Sequence, residues 1–292
     1  MHRHISAAAV VCAATLAACS KAAPNADSAA VAQAGAANAA GYDPTTRVAT
    51  IIAKDFAFEA PDSIPAGWTT LRMVNEGATL HHVQLVRLDG GKTFADMQAA
   101  MQNPNAPPPA WIVSVGGPNG PDPKSVSTAM LNLPAGNYAM LCFIDVPGKV
   151  PHIAKGMARP LVVTSATEAG TEPVADITVS LTDYAFTTTS GALAAGKHVV
   201  KIVNDGAQDH ELVIIRLQPG KTLQDLGAWA ATAEGLPPGN GIAGVSGVVK
   251  GGVAYFDAEF TPGSYVMLCF IPDSKDKKPH IEHGMVKEFT VQ

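Results

Sequence analysis

An internal repeat is the feature of this sequence that most restricts its fold. Residues 138–144, YAMLCFI, return as 265–271, YVMLCFI, and residues 75–78, NEGA, return as 204–207, NDGA. The offset stays between 127 and 129 positions along the whole match. A chain of 292 residues has room for two domains. Duplication of one domain of roughly 120 residues therefore explains the pattern.

Each copy has the sequence pattern of an all-β fold. Short runs rich in Val, Ile, Leu and Thr, such as 69–74, are separated by Gly and Pro, which is typical of β-sandwiches with Greek-key connections. Thr93 with Asp96, and Thr222 with Asp225, have the spacing of helix N-caps. We therefore predict two tandem Greek-key β-sandwiches, each with a short helical insertion.

The N-terminus has the features of a targeting segment, with Arg3 ahead of the mainly apolar stretch 5–18. That stretch is too short to span a bilayer. It ends in Leu-Ala-Ala-Cys at 16–19, which resembles the lipobox of bacterial lipoproteins, where the cysteine is acylated and becomes the mature N-terminus. The alternative is an ordinary signal peptide in which Cys19 is incidental. Ser20, by resemblance to enterobacterial sorting rules, favours the outer membrane. We expect a lipid-anchored protein of the cell envelope that faces the periplasm.

The repeat and two polar stretches divide the chain into five predicted segments. One polar stretch precedes the first copy and has the composition of a tether, and the other separates the copies and has that of a linker. They are a lipoprotein signal peptide at 1–19, a flexible tether at 20–45, domain 1 at 46–164, a linker at 165–175 and domain 2 at 176–292.

Charge and cysteine content narrow the class of ligand. The chain has 20 Lys plus Arg against 25 Asp plus Glu and no run of basic residues, so nucleic acid is not expected as a partner. Removal of Cys12 and acylation of Cys19 would leave only Cys142 and Cys269 in the folded part. Lone thiols in an oxidising compartment form a disulfide or bind a metal, and both alternatives are open at this point.

Each copy also carries one His, one Cys, a second His and one Met in the same order. The spacing after the first His is Cys-x9-His-x4-Met in copy one and Cys-x10-His-x4-Met in copy two. A thiolate and two imidazoles suit copper in both redox states, and a thioether is a weak fourth ligand. We therefore predict two copper ions, one per domain. The candidate ligands are His81, Cys142, His152 and Met157 in copy one, and His210, Cys269, His280 and Met285 in copy two.

This arrangement resembles the cupredoxin family, the type 1 blue copper proteins. In that family the first histidine follows an Asn- or Gly-containing turn, as 75–81 and 204–210 do here. The other ligands lie near the C-terminus of the domain in a Tyr-x3-Cys, Pro-His, Gly-Met series, which both copies match. The resemblance implies cupredoxin-like sandwiches and a type 1 copper site in each. One departure is that His82 and Glu211 stand where plastocyanin-like members usually have Asn.

The resemblance also bears on function. Multicopper oxidases flank the ligand cysteine with histidines and copper nitrite reductases place one before it, whereas Leu141 and Phe143, or Leu268 and Phe270, stand here. We therefore expect an electron-transfer protein, not an enzyme, that serves a redox partner protein in the periplasm. Two alternatives are a non-redox copper storage or delivery module and a cupredoxin-like interaction domain. The remaining histidines His82, His198 and His283 are expected at the surface, with His283 near the edge of the second site.

Overall fold

The computed structural model describes residues 40–103, 106–232 and 234–292. The predicted signal peptide, the acylated Cys19 and most of the tether lie outside these residues. Within the described part of the chain, no helix is long and apolar enough to cross a membrane.

The first copy of the repeat is built from short strands. They are β1 Gly41–Asp43, β2 Val48–Lys54, β3 Ala57–Glu59, β4 Ser63–Pro65, β5 Gly67–Asn75, β6 Gln84–Leu88, β7 Ile112–Gly116, β8 Val126–Leu133, β9 Gly136–Leu141, β10 Asp145–Val146, β11 Val150–Pro151 and β12 Ala158–Thr164. The second copy repeats most of this pattern. Its strands are β13 Ile177–Thr182, β14 Ala185–Ser190, β15 Gly196–Asn204, β16 His210–Leu217, β17 Gly239–Val248, β18 Val253–Phe260, β19 Gly263–Leu268 and β20 Val286–Val291.

Two large sheets contain nearly all of these strands, and each sheet runs through both copies. The first has the order β1-β2-β5-β8-β18-β15-β13-β14, with β3 paired to β2. The second has the order β20-β19-β16-β17-β7-β6-β9-β12-β4. The copies meet where Tyr255 pairs with Met130 in the first sheet and Val248 pairs with Val115 in the second. The predicted sandwiches are present, and their sheets are joined edge to edge.

The strands form because buried and less buried side chains alternate along them. In β8 every second residue is buried, and β5 shows the same alternation through most of its length. This period of two places one face of each strand on the core between the sheets. The core contains side chains from both copies, including the fully buried Ile51, Leu71 and Phe256.

The two helical insertions cover the outer face of the second sheet. Helix α1 spans Phe94–Ala100 and helix α2 spans Leu223–Thr232. At α1 the Thr93 hydroxyl accepts the Asp96 N–H at 3.2 Å while the Asp96 carboxylate accepts the Thr93 N–H at 2.8 Å. Thr222 and Asp225 form the equivalent pair of bonds at α2, so both predicted caps are confirmed.

The predicted domain boundaries stay predictions. The structure shows how parts of the predicted tether and linker contact the strands. Strand β1 begins at Gly41, within the stretch assigned to the tether. Within the predicted linker, the carbonyl oxygen of Ala169 accepts the N–H of Trp68 at 2.6 Å, and the carboxylate of Glu172 accepts the hydroxyl of Tyr255. The linker segment therefore contacts strands of both copies.

The seam between the copies is buried and hydrogen-bonded. The Ser246 hydroxyl donates to the Val83 carbonyl at 2.7 Å, and the Gln84 amide donates to the Gly247 carbonyl at 2.9 Å. Val245 is fully buried, and a Cβ placed on Gly116 would lie only 3.0 Å from its methyl group. Apolar packing this close couples the stability of one copy to that of the other.

Val245→Ala tests this coupling. Loss of two buried methyl groups at the seam should lower the free energy of unfolding by about 2 kcal/mol. Because the copies share both sheets, thermal unfolding of wild type and variant should each show one transition, and that transition should shift. Val179→Ala, at an equally buried position that pairs only within the second copy, is the matched control. Two separate transitions, of which Val245→Ala moves only one, would contradict the shared core.

Candidate metal centres

The elements of the second sheet bring the predicted ligands of each copy together. Cys142 directly follows β9, and His152 opens a single 3-10 turn after Pro151. The hairpin of β10 and β11 lies between them and folds the intervening loop back on itself. Gly156 ends the turn with a φ of +97°, a backbone conformation that suits glycine, and so directs the chain to Met157.

In the first copy three donor atoms converge in a buried space. His81, Cys142 and His152 are each 0 % exposed. The Nδ1 atom of His152 lies 3.0 Å from Nδ1 of His81 and 3.4 Å from Sγ of Cys142. The three donor atoms all lie within 4.8 Å of one another.

The second copy repeats this geometry closely. Nδ1 of His280 lies 3.1 Å from Nδ1 of His210 and 3.3 Å from Sγ of Cys269. These three residues are also 0 % exposed. Cys142 and Cys269 are both free thiols, so the disulfide alternative does not apply to the described structure.

The two methionines are tied to the same groups through their main chain. Met157 donates its N–H to the His152 carbonyl at 3.1 Å and accepts the Cys142 N–H at 3.2 Å. Met285 donates to the His280 carbonyl at 3.0 Å. Both methionines are fully buried. Their position beside the three other residues is consistent with a fourth ligand, and that role stays a prediction.

A carboxylate and a glycine orient the first histidine in each copy. Nε2 of His81 lies 3.1 Å from the Asp55 carboxylate, and Nε2 of His210 lies 2.6 Å from that of Asp183. A carboxylate accepts a hydrogen bond, so Nε2 carries the proton and Nδ1 is left free to bind a metal. A Cβ at Gly77 would lie 2.4 Å from the His81 ring, so only glycine permits this approach.

These atoms fit a bound copper ion. Two imidazole Nδ1 atoms only 3.0 Å apart repel each other if both present lone pairs, and a cation between them removes the repulsion. Burial raises the pKa of the Cys142 thiol to about 12, so the thiolate needs a nearby positive charge. Burial also lowers the pKa of His152 to about 4, which favours the neutral, metal-binding form of the ring. Two nitrogen donors and one thiolate match the ligand preference of copper.

His82 and Glu211 have a structural role that the sequence did not predict. His82 is buried, so its expected place at the surface was wrong. Its Nε2 accepts the N–H of Phe143, the residue after Cys142, at 2.9 Å. Glu211 accepts the N–H of Phe270 at 2.8 Å in the same way. Both side chains thus brace the backbone beside the cysteine.

Other site residues were missed although the sequence held a signal for some of them. Asp55 and Asp183 recur within the repeat, and this duplication marks them as functional candidates. Asn75 also recurs as Asn204, and the side chain of each accepts the N–H of the glycine two residues on at 2.9 Å. Asn119, whose side-chain amide donates to the Glu211 carboxylate at 3.2 Å, has no counterpart at its repeat position, so no pattern marked it.

A third group of possible donors lies near the second site. It consists of Asp273, Asp276 and His283. His283 hydrogen-bonds Asp276 at 3.1 Å and stacks on Tyr184, with ring centroids 4.9 Å apart. Tyr184 in turn meets the His280 ring edge-on. His283 therefore borders the second site through Tyr184.

Neither the protein-family models nor the curated protein sequences gave a match. Among solved structures, the chain is similar to dithionite-reduced auracyanin of Roseiflexus castenholzii, with 21 % identity, a TM-score of 0.29, and coverage of 42 % of this chain and 99 % of auracyanin. A multicopper oxidase matches with 14 % identity and a TM-score of 0.26, over 87 % of this chain and 93 % of the oxidase. Within the described residues the fold itself is the predicted all-β arrangement of two large sheets.

The expectation that the chain is not an enzyme was wrong. Besides the multicopper oxidase, the matches include a copper-containing nitrite reductase of Thermus scotoductus, with 11 % identity, a TM-score of 0.23, and coverage of 84 % of this chain and 62 % of the reductase. Enzymes therefore occur among the solved structures that this chain matches. The identity of the residues next to Cys142 and Cys269 is not sufficient to exclude catalysis.

Gly206→Ala tests how the first histidine is oriented. The added Cβ would lie 2.5 Å from Nε2 of His210 and 2.6 Å from the Asp183 carboxylate, so both must move. Copper affinity of the second copy should fall by about ten- to a hundredfold, measured by chelator competition on metal-stripped protein. Gly227→Ala, in open space on α2, is the control and should leave the affinity unchanged. Equal affinity for Gly206→Ala and wild type would refute this role of the glycine.

Proposed function

We propose that this chain is a copper-binding electron-transfer protein with one mononuclear type 1 site in each copy. The observation that carries the proposal is the convergence of two imidazole Nδ1 atoms and one thiol, all 0 % exposed, at the same place in both copies. A copper ion held there would cycle between Cu(II) and Cu(I). His81, Cys142, His152 and Met157 would hold one ion, and His210, Cys269, His280 and Met285 the other.

The surrounding residues support electron transfer over storage or delivery of the ion. The donor atoms are already in place in the folded chain, held by Asp55 and Asp183 through the first histidines and by the 3-10 turns through the second. A rigid, buried site changes little between redox states and excludes water from the metal. A delivery module needs ligands that open to release the ion, and full burial of the ligands disfavours this.

We further propose that the protein acts in the cell envelope. The lipobox-like end of the first nineteen residues supports attachment of Cys19 to lipid, with the folded part facing the periplasm. A redox partner protein in that compartment would then supply or accept the electrons. Mass analysis of the N-terminus of protein from an expressing cell tests this, because an acylated N-terminal Cys19 supports the anchor and an unmodified one contradicts it. Globomycin, which blocks signal-peptide removal from lipoproteins, should make the uncleaved precursor accumulate.

Spectroscopy of the copper-loaded soluble part, residues 40–292, tests the central proposal. Strong visible absorption from thiolate to Cu(II), lost on reduction and restored on oxidation, is the expected result. Copper that binds without this absorption would favour the storage module. Failure to bind copper would favour a cupredoxin-like interaction domain.

Single substitution of each cysteine tests whether the sites are independent. Cys142→Ala and Cys269→Ala should each remove about half of the bound copper and half of the visible absorption, because each cysteine serves only its own copy. The two variants are matched controls for each other, and the double variant should bind none. Copper content is read by elemental analysis per chain. Loss of all copper in either single variant would mean that one shared site replaces the two proposed.

A further inference from the structure

The two candidate centres differ beside their second histidine, although most of the site is duplicated. In both copies Nε2 of this histidine, His152 or His280, is buried and has no hydrogen-bond partner among the described residues. In copy one the ring of Phe56 meets His152 edge-on, and in copy two Tyr184 meets His280 in the same way, with ring centroids 5.2 Å apart in each pair. The tyrosine adds a hydroxyl group, and this hydroxyl contacts a carboxylate.

That carboxylate belongs to Asp273. It lies 3.9 Å from Nε2 of His280, and its side chain is only 2 % exposed. One of its oxygens accepts the Tyr184 hydroxyl at 2.5 Å and the Gln208 amide at 2.8 Å. The other oxygen accepts two backbone N–H groups of the loop that follows, at 2.7 and 3.3 Å. All four partners are donors, which favours the ionised carboxylate.

No neighbouring cation pairs with this negative charge. Of the Lys and Arg side chains in the described ranges, none forms an ion pair with Asp273, whose ion-pair partner is His280. The lysines of the same loop, Lys275, Lys277 and Lys278, are exposed to water. Water screens exposed charges strongly and buried ones much less. The Asp273 carboxylate therefore acts on the His280 ring with little screening.

Copy one lacks this arrangement. The strand pairing just before each histidine puts Val146 at the place of Asp273. All three polar members of the group in copy two have counterparts in copy one that carry no charge, which are Phe56, Thr79 and Val146. No carboxylate of the described residues forms an ion pair with His152, whereas the pair between the first histidine and its aspartate occurs in both copies. The three residues thus differ together, as one unit.

We propose that Asp273 lowers the reduction potential of the copper bound in the second copy, and so makes the two centres of the chain unequal. Copper held by Nδ1 of His280 leaves the proton on Nε2, the atom that faces the carboxylate. Cu(II) carries one more positive charge than Cu(I), so a nearby negative charge stabilises Cu(II) more. This inference rests on the proposed function, since it needs copper at the second centre.

Unequal centres have a consequence for the place of the electron. When one electron reaches the fully oxidised chain, the Asp273 charge disfavours reduction of the second-copy copper. The first-copy Cu(II) then becomes Cu(I), and the second-copy ion stays Cu(II). Asp273 touches neither copper nor its partner protein, so it is a positioning residue that acts through His280.

Asp273→Asn removes the charge and keeps the size of the side chain. The Cys142→Ala background isolates the second-copy copper. There the stability of Cu(II) relative to Cu(I) should fall about tenfold, which raises the potential of this one-electron couple by about 59 mV. Titration of the thiolate-to-Cu(II) absorption against potential measures the shift. The position of the absorption band should not change, because Asp273 is not a ligand.

Two controls separate this charge from other effects. Asp276→Asn removes a carboxylate of the same loop whose side chain is 41 % exposed, so the second-copy potential should stay unchanged. Asp273→Asn in the Cys269→Ala background, which keeps only the first-copy copper, should also show no shift. Glu211 is present in every variant, so its carboxylate contributes equally to each. No shift in the isolated second centre, or an equal shift in either control, would overturn the role of Asp273.

A combined variant covers the case in which Asp273→Asn does not fold. Tyr184→Phe, Gln208→Thr and Asp273→Val together give copy two the residues that copy one already accommodates, and the same rise in potential is expected. An unchanged potential in that variant, with the absorption intact, would refute the role of Asp273 alone. Absence of thiolate-to-Cu(II) absorption in wild type would instead refute the proposed function, and this inference with it.

Discussion

The close approach of two imidazole nitrogens to one buried thiol is the constraint on which each half of this structure depends. In a metal-free protein these groups gain little from one another, because Nδ1 of His81 and Nδ1 of His152 face each other at 3.0 Å and burial keeps the Cys142 thiol protonated. Such an arrangement is stable only if surrounding structure holds it. Three features of copy one provide that support: the Asp55 carboxylate, Gly77 beside the His81 ring, and the 3-10 turn after Pro151. A cation at the centre would replace the repulsion between the two nitrogens by attraction of each nitrogen to the metal.

Much of this arrangement could be predicted from the sequence because it is local or duplicated. The order and spacing of His, Cys, His and Met occur twice, so the candidate ligands could be chosen without a structure, and the structure brings the His, Cys and His of each copy together. The capping pairs at Thr93 and Thr222 were also readable, since a helix cap depends on residues three positions apart. Short runs rich in Val, Ile, Leu and Thr, separated by Gly and Pro, were sufficient to predict β-sandwiches.

Features that depend on contacts between the copies could not be predicted in this way. Nothing in the pattern shows that Val115 pairs with Val248, because a sheet edge carries the same alternation whether or not it is covered. Burial of His82 also depends on a contact that is distant in sequence, because its ring packs beside Phe143. Asn119 lies in an irregular segment with no duplicate, and only the three-dimensional structure places it against Glu211. His82 and Glu211, which stand where plastocyanin-like proteins usually have Asn, each accept the N–H of the residue after the cysteine of their copy.

Because the two copies are joined through both sheets, the two candidate metal sites belong to one structural unit. The central claim is that copper occupies both candidate centres. The most direct measurement is a crystal structure of the copper-loaded protein with anomalous scattering collected at the copper edge. Two anomalous peaks per chain, each enclosed by the His, Cys, His and Met of one copy, are predicted. A chain with no peak at these residues, or with copper bound only elsewhere, would contradict the account.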